Sequence, residues 1–529
     1  MTKVMKGLSF FRLNGRMTNE AFEKGRLVKN KIQYAYTASS YWSSSEYNQN
    51  NAWNVNFNSS ALNNNNKNNT NNVVRPVAAL DEKRKEAWID AYDNCCRHKK
   101  TSDNCIRYRL DYEEDLFRLA YEVETGTYKP STSVCFCVTR PKLREVFAAN
   151  FRDRIVHHWL IMKLNPLFEK RFVEQGNVSF NCRKGFGVQS AVNALRDDIK
   201  AVSKDYSDDA YVGRFDLVGF FMSIDKDILI DSLRTFVYDN YKETDVDLVF
   251  ETLCIVIRHN PAMDCEIHGN AKLFKDLPRN KSLFYAEDNK GLPIGNLTSQ
   301  ILANFYLSYF DEVMVEWASR RGGRYERFVD DFVVVMPKMK MVYEAYLFSR
   351  EYLADELKLR LHDDKKYTQH YTKGIAFVGY VVKIDRIYLS NRTFGHFEDK
   401  MRYVDRVCEN IDSKKMDVPD FMLLNGLLQS INSYTGFSAN ASGYAKRMKI
   451  LCKYKKMYNF AYFKNERHTI KIRKQFKIGE ILYAKDRMER AGMSSCLHHE
   501  AQRRTAATNA VRGRGASRNG GREHGMESR

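Results

Sequence analysis

The 529-residue sequence contains no Cys-x-x-Cys pair and no apolar run long enough to cross a bilayer. Eleven cysteines occur, but Cys95-Cys96 and Cys135-x-Cys137 lack the second pair that a structural zinc site needs. Cys496 with His498 and His499 sits near a polar tail and completes no ligand set. Unpaired thiols fit a reducing cytoplasm. A membrane-spanning helix takes about 20 apolar residues, and none is present. The apolar stretch within Met1–Arg16 is too short for a signal peptide. A cytoplasmic protein is therefore expected. An acidic balance is also lacking. The formal net charge is +20, which points to a polyanionic partner. Residues 501–529 hold seven Arg and two Glu, so most of the excess lies in the body of the chain. A hydrophobic content of 43% supports a sizeable core, and the length predicts three or four domains or segments.

What is present is a pair of acidic motifs about a hundred residues apart. Arg214-Phe215-Asp216-Leu217-Val218-Gly219-Phe220-Phe221 reads as a strand that delivers one carboxylate at its end. Tyr325-Glu326-Arg327-Phe328-Val329-Asp330-Asp331-Phe332 reads as the first of two apolar strands, Tyr325–Val329 and Phe332–Met336, joined at an Asp-Asp turn. Side by side, such strands bring Asp216 and Asp330 to one sheet edge. Two carboxylates there can hold two hard divalent cations, the arrangement that stabilises the attacking and leaving oxygens of a phosphoryl displacement. Taken alone the second motif reads more readily as a plain turn, because Asp tolerates turn geometry. Between the two lies Gly291-Leu292-Pro293-Ile294-Gly295-Asn296-Leu297-Thr298-Ser299-Gln300, followed by Ile301, Leu302, Phe305, Tyr309 and Val313 at helical spacing. A Gly/Pro turn thus opens a helix and leaves its backbone able to approach a ligand. Phe377-Val378-Gly379-Tyr380 follows.

In this order the four motifs resemble those of the reverse transcriptases, over roughly Arg140 to Gly443. The resemblance implies an α+β right-hand polymerase fold, with fingers and palm built on antiparallel sheet and a helical thumb. It implies metal ligation of two Mg²⁺, with Mn²⁺ able to substitute, by Asp216, Asp330, Asp331 and the backbone carbonyl of Leu217. Asp331 takes a supporting role, and Lys366, or its neighbour Lys365, falls where the family places a general-acid lysine. Thr139–Val146 resembles the fingers hairpin, so Arg140, Lys142 and Arg144 are expected on the triphosphate, joined by Phe221, Ile294, Gly295 and Gln300 around the nucleotide. An aromatic ring at Phe221 would exclude a ribose 2′-hydroxyl. Asn181-Cys182-Arg183-Lys184-Gly185-Phe186-Gly187 resembles the fingers motif beside the template, with Arg183 and Lys184 on phosphates. Phe377 and Gly379 belong to the primer grip. His157 and His158 are read as packing residues.

The wording Leu-Pro-Ile-Gly-Asn-Leu-Thr-Ser-Gln resembles the diversity-generating retroelement branch. Many relatives carry Gln where this chain has Ile294, and Tyr where it has Phe328. Gln can hydrogen-bond an incoming nucleotide and Ile cannot, so frequent errors opposite template adenine are expected, with the adenine bias drawn from the resemblance. Tyr41–Val77 carries fourteen asparagines between Asn48 and Asn72. Composition alone reads it as a solvated linker. Its ends resemble the last strands of the lectin-like targets of these retroelements, so it is read as a translated template repeat, too short to bury a core. The expected segments are 1–80 (extension), 81–204 (helices and fingers), 205–390 (palm), 391–490 (thumb) and 491–529 (disordered basic tail), with residues 240–290 an irregular insertion. Lys446, Arg447, Lys449, Lys453, Lys455 and Lys456, with Tyr454 and Tyr458, suit a duplex backbone, although packing inside the thumb fits those rings equally. Expected partners are an RNA template, a DNA or RNA primer, deoxynucleoside triphosphates and a small basic accessory helical-bundle protein, in a bacterial or phage setting. A group II intron or retron type polymerase, a ligand-binding protein built on the Asn-rich segment and a catalytically dead nucleic-acid binder are the alternatives.

Overall fold

The asparagine-rich stretch forms strands where composition alone argues for a linker. In this computed structural model, β1 (Ser40–Glu46), β2 (Asn51–Asn56) and β3 (Ala61–Asn66) make an antiparallel meander, with Asn51 opposite Asn66 and Asn56 opposite Ala61. The structure describes residues 40–46, 51–56, 61–66, 82–464 except 98, 101, 140–141 and 412–415, then 469–473 and 476. The remainder of segment 1–80, the tail 491–529 and the Cys496, His498, His499 group lie outside the described residues.

The chain divides into two units, residues 1–92 with 111–128, and 93–110 with 129–529. In the first, Trp88 on helix Glu82–Cys96 and Leu116, Leu119 and Ala120 on helix Tyr112–Glu124 are buried. An Arg84–Glu124 ion pair of 2.7 Å and stacked Tyr92 and Tyr112 rings join these helices.

The second unit is mixed α+β. β4 (Ser133–Val138) and β5 (Arg144–Ala148) pair antiparallel, as the apolar run at Cys135–Val138 predicts. Helix Phe151–Glu174 follows, its first turn capped by the Asn150 side chain. Its His157 is buried, as expected of a packing residue, and burial above all pushes its pKa down to about 3. β6 (Tyr211–Asp216) ends at the first acidic motif. Residues 240–290 correct the expectation of irregular chain. Val249, Phe250, Leu253 and Ile257 are buried along helix Val246–Arg258, at a spacing that is plainly helical once Pro261 is seen to lie beyond its end. β7 (Cys265–His268) then adds to the outer sheet parallel to β4.

β8 (Arg324–Phe328) and β9 (Asp331–Met336) form a tight hairpin, and β10 (Tyr367–His370) completes an antiparallel central sheet of order β10-β6-β9-β8. Phe332 to Met336 are all buried, because helices cover both faces of a strand in the sheet interior. β11 (Ile375–Phe377), β12 (Tyr380–Val382) and β13 (Ile387–Leu389) make a small meander. Helices Asn391–Asn410, Val418–Ala439 and Tyr444–Lys453 pack on it. One continuous core joins Val212, Val333 and Val335 of the central sheet to Phe377 and Tyr380, and to Met401, Leu424 and Ile431 of these helices. No described helix is long and apolar enough to cross a membrane.

Candidate active site

The site is built at the end of β6. Asp216 is the register partner of Asp331, and Phe328 pairs with Asp331 from the other side. The hairpin turn therefore consists of Val329 and Asp330. This moves the turn one residue from the expected Asp-Asp position and puts Asp331 on the strand. Val329 has φ +60°, a left-handed backbone that β-branched residues rarely adopt.

A buried arginine holds that turn. Arg327 Nη1 donates to the Val329 carbonyl at 2.9 Å. Its Nε and Nη2 reach the two oxygens of Asp311 at 2.7 and 2.5 Å, and Nη2 also reaches Asn304 Oδ1 at 2.9 Å. Tyr325 donates its hydroxyl to the same Asp311 at 2.7 Å. Arg327 and Asp311 are 1% and 0% exposed, so each charge is stable only through the other. Sequence reading missed both. The strand sequence Arg324-Tyr325-Glu326-Arg327-Phe328 gives no local sign that Arg327 is one of its buried charges.

The three acids crowd one another. Burial first, and then the Asp216 charge, push the Asp330 carboxyl up. Burial, then Asp330 and Asp216, push Asp331 up to about 6. Desolvated carboxylates at this separation call for cationic ligands.

The chain returns past this corner. His362 N–H donates to the Asp216 carbonyl at 2.9 Å, and Val218 N–H donates to the Arg360 carbonyl at 2.8 Å, with buried Leu217 between. This crossing carries Lys365 Nζ to 2.7 Å from Asp216 Oδ2, while His362 Nε2 stands at 4.0 Å. Lys366, the first-choice general acid, instead points its Nζ over the Tyr346 ring at 4.2 Å. The turn that precedes β10 thus brings Lys365, not Lys366, to Asp216.

Lys142 and Arg144 act on Asp330 from the β4–β5 hairpin. Arg140 lies outside the described residues. The Gly291–Gly295 turn packs against that hairpin. Ile294 accepts a hydrogen bond from Phe147 N–H at 2.7 Å. Gly295 has φ +127°, and a Cβ there would meet the Phe147 carbonyl at 2.6 Å. The close approach allowed by this glycine is thus to β5, not to a ligand. Ile294 and Phe221 both pack on a small cluster of Cys135, Phe147, Met222 and Leu283. Phe220 is buried beside Phe221. Gln300 is exposed and accepts from Cys182 Sγ at 3.0 Å.

No family model matches the chain. The chain is similar to Protein YkfC of Escherichia coli K12, 23% identical over 307 residues, covering 52% of this chain and 72% of that protein. Among solved structures it is similar to apo telomerase from Candida tropicalis, with TM-score 0.36, 11% identity, and coverage of 63% of this chain and 62% of that one. It is also similar to telomerase from Candida albicans in complex with the TWJ fragment of telomeric RNA, with TM-score 0.34, 12% identity, and coverage of 66% and 64%. The chain spans about six-tenths of these telomerase chains.

Several expected nucleic-acid contacts are redirected. The Arg183 side chain is 0% exposed, bonded to Glu169, the Ser179 carbonyl and Asn177, and stacked on Phe186. It cannot reach a phosphate and instead braces the 177–186 loop, whereas Lys184 is exposed. Phe377 is buried in the core, so the hairpin presents backbone at Val378 and Gly379. Gly379 (φ +88°) lies against Phe437, and its carbonyl accepts from Ser390 N–H and Thr393 Oγ1 at the head of helix Asn391–Asn410. Arg447 is buried on Ser438, Lys453 pairs with Glu398 and Lys456 with Glu409, and Tyr454 is in the core. These four serve the helical bundle.

Proposed function

We propose that the chain is an RNA-directed DNA polymerase of the diversity-generating retroelement type, copying a template-repeat RNA with errors biased to adenine. One observation carries it: Asp216 and Asp331 share a register, with Asp330 on the adjoining turn and basic side chains opposite. In this reading the central sheet is the palm, β4 and β5 the fingers, and Asn391 opens the thumb.

Among the described residues no three His, Cys, Asp or Glu side chains close into a ready metal cage. The donor set still fits Mg²⁺, which is commonly held by one or two carboxylates with substrate phosphates completing its shell. Asp216 and Asp330 would hold two ions, with Asp331 and the Leu217 carbonyl supporting. When bound, such ions activate the primer 3′-hydroxyl and neutralise the departing pyrophosphate. The chain itself positions: Arg327 fixes the turn that carries Asp330, Lys142 and Arg144 face the phosphates, and Lys365 stands where a proton can be given to the leaving group. Phe221 borders the sugar, with Ile294 beside it.

The test is primer extension by the purified chain on an RNA template with Mg²⁺, beside Asp330→Ala, with and without a basic accessory protein, and with products sequenced. Extension lost in the variant and errors gathered at template adenines support the full reading. Accurate extension moves the chain to the intron or retron type. Absence of extension in every arm rejects the polymerase.

A further inference from the structure

Residues 279–285 form two short turns, Arg279–Lys281 and Leu283–Tyr285, in a segment without any motif. They are gripped from two sides. The Asn280 carbonyl lies so close to Gly219 that a Cβ there would sit 2.4 Å from it, and Gly219, three residues past Asp216, has φ +57°. Ser282 Oγ donates to Glu145 Oε2 at 2.8 Å, and the Leu283 N–H donates to the other oxygen of that carboxylate. Glu145 is 0% exposed on β5, next to Arg144. The segment therefore ties the end of β6 to β5, and Lys281 is the single residue between the two grips.

That position sets its ammonium in the field of Arg144, Lys365 and Lys142, and of the Asp216 carboxylate. Burial first, then those three cations, hold its pKa below the ordinary lysine value. Lys365 is paired with Asp216 and Lys290 with Glu287, whereas no described carboxylate pairs with Lys281. A partly desolvated ammonium among like charges is unfavourable until an anion joins it. An anion carrying several charges is the ligand that four convergent cations would recognise.

We propose that Lys281 is a nucleotide-binding residue that contacts the triphosphate of the incoming nucleotide, held in place by the Glu145–Ser282 clamp. This rests on the polymerase reading and adds to it a residue outside every motif, supplied by the segment after helix Val246–Arg258.

The experiment measures binding of deoxynucleoside triphosphate with Mg²⁺ to the chain on a template–primer, and steady-state extension, for wild type, Lys281→Ala, Lys281→Arg and Lys290→Ala. Lys281→Ala should raise both Kd and KM about tenfold with kcat within about threefold, as expected for one lost charge-assisted contact. The inhibition constant of inorganic pyrophosphate should rise in parallel. Arg should restore most of the affinity, and Lys290→Ala should behave as wild type. Ser282→Ala should shift KM in the same direction by less. A Lys281→Ala protein with wild-type Kd and KM overturns the assignment while leaving the polymerase standing. So does a loss confined to kcat that Arg does not rescue. A wild-type chain that neither binds nor extends removes both readings together.

Discussion

The two halves of the site are opposites that, the Lys365–Asp216 pair apart, do not neutralise each other. On the central sheet, Asp330 and Asp331 are pushed toward their protonated forms although Arg144, Lys142 and Arg214 act against that shift. On the facing side, Lys281 is pushed toward its neutral form although Asp216 acts against it. Burial is the first cause of each shift, and the attraction between the halves does not offset it. Each half is incomplete, the acids for want of cations and the bases for want of an anion. On the proposed function, a magnesium–triphosphate complex would supply both at once. The contrast with Arg327 and Asp311 is direct, since that pair is buried, bidentate and complete. One set of charges is structural and the other is poised for ligands.

The sharpest way to break this contrast is to neutralise one member of each set. Asp330→Asn should lower extension at least about a thousandfold, since a lost metal ligand removes ~4 kcal/mol or more of transition-state stabilisation. It should leave the fold intact, or raise the melting temperature in metal-free buffer, because a crowded charge is removed. A variant that loses its fold would show Asp330 to be structural. Arg327→Ala should act on the fold first. Leaving Asp311 uncompensated should cost about 3–5 kcal/mol, read as a lower urea midpoint, with activity lost through the turn. A midpoint near wild type would mean that water reaches Asp311.

The acids were legible because β6 ends in Asp216 and the apolar run Phe332–Met336 follows directly on Asp330-Asp331, whereas the register that sets Asp216 opposite Asp331 was not, since it depends on a turn one residue earlier than the Asp-Asp pair suggests. The clamp was not legible. Glu145 and Ser282 are 137 positions apart, and nothing local in either marks it as a partner. Arg183 misled for a related reason. A basic residue beside glycines reads as a phosphate contact, and only the fold shows Glu169 and Asn177 already occupying it. Lys365 and Lys366 could not be separated by composition, because the path of the turn after Leu361 sets Lys365 against Asp216 and Lys366 over Tyr346.

A pH series tests the acidic half more gently. Below about pH 6 the Asp331 carboxyl is protonated, and above it the group is ionised. Its pKa is raised above the unfolded value of 3.8, so the folded chain keeps a proton that the unfolded chain releases. Between about pH 4 and 6 this one group should therefore take about 1–3 kcal/mol from the stability of the metal-free protein as pH rises. Asp331→Asn should reduce that slope without abolishing it, since burial also raises Asp330, Asp198 and Glu326, and Mg²⁺ should reduce it by favouring the ionised form. Extension should climb through the same window. A melting temperature that rises with pH there, in both proteins alike, would place the governing carboxylates elsewhere.

The smallest effect concerns accuracy. Ile294 contributes its carbonyl to Phe147 and its side chain to the cluster beside Phe221, so the backbone at this position is fixed by β5 whatever side chain it carries. Ile294→Gln then keeps the backbone and changes the side chain, which packs on the cluster and on the proposed function borders the nucleotide. A gained alignment hydrogen bond worth about 1.4 kcal/mol should lower errors opposite template adenine about tenfold, at a stability cost of about 1–3 kcal/mol if the amide meets the apolar cluster unpaired. Phe221→Ala, acting on the same cluster, should instead admit ribonucleotides and leave base discrimination unchanged. Each variant would then move one kind of selectivity without the other, which is the outcome expected if base and sugar are read by adjacent side chains on one rigid support. Sequenced products with unchanged error spectra in Ile294→Gln would locate the infidelity away from this turn, on the template side of the site.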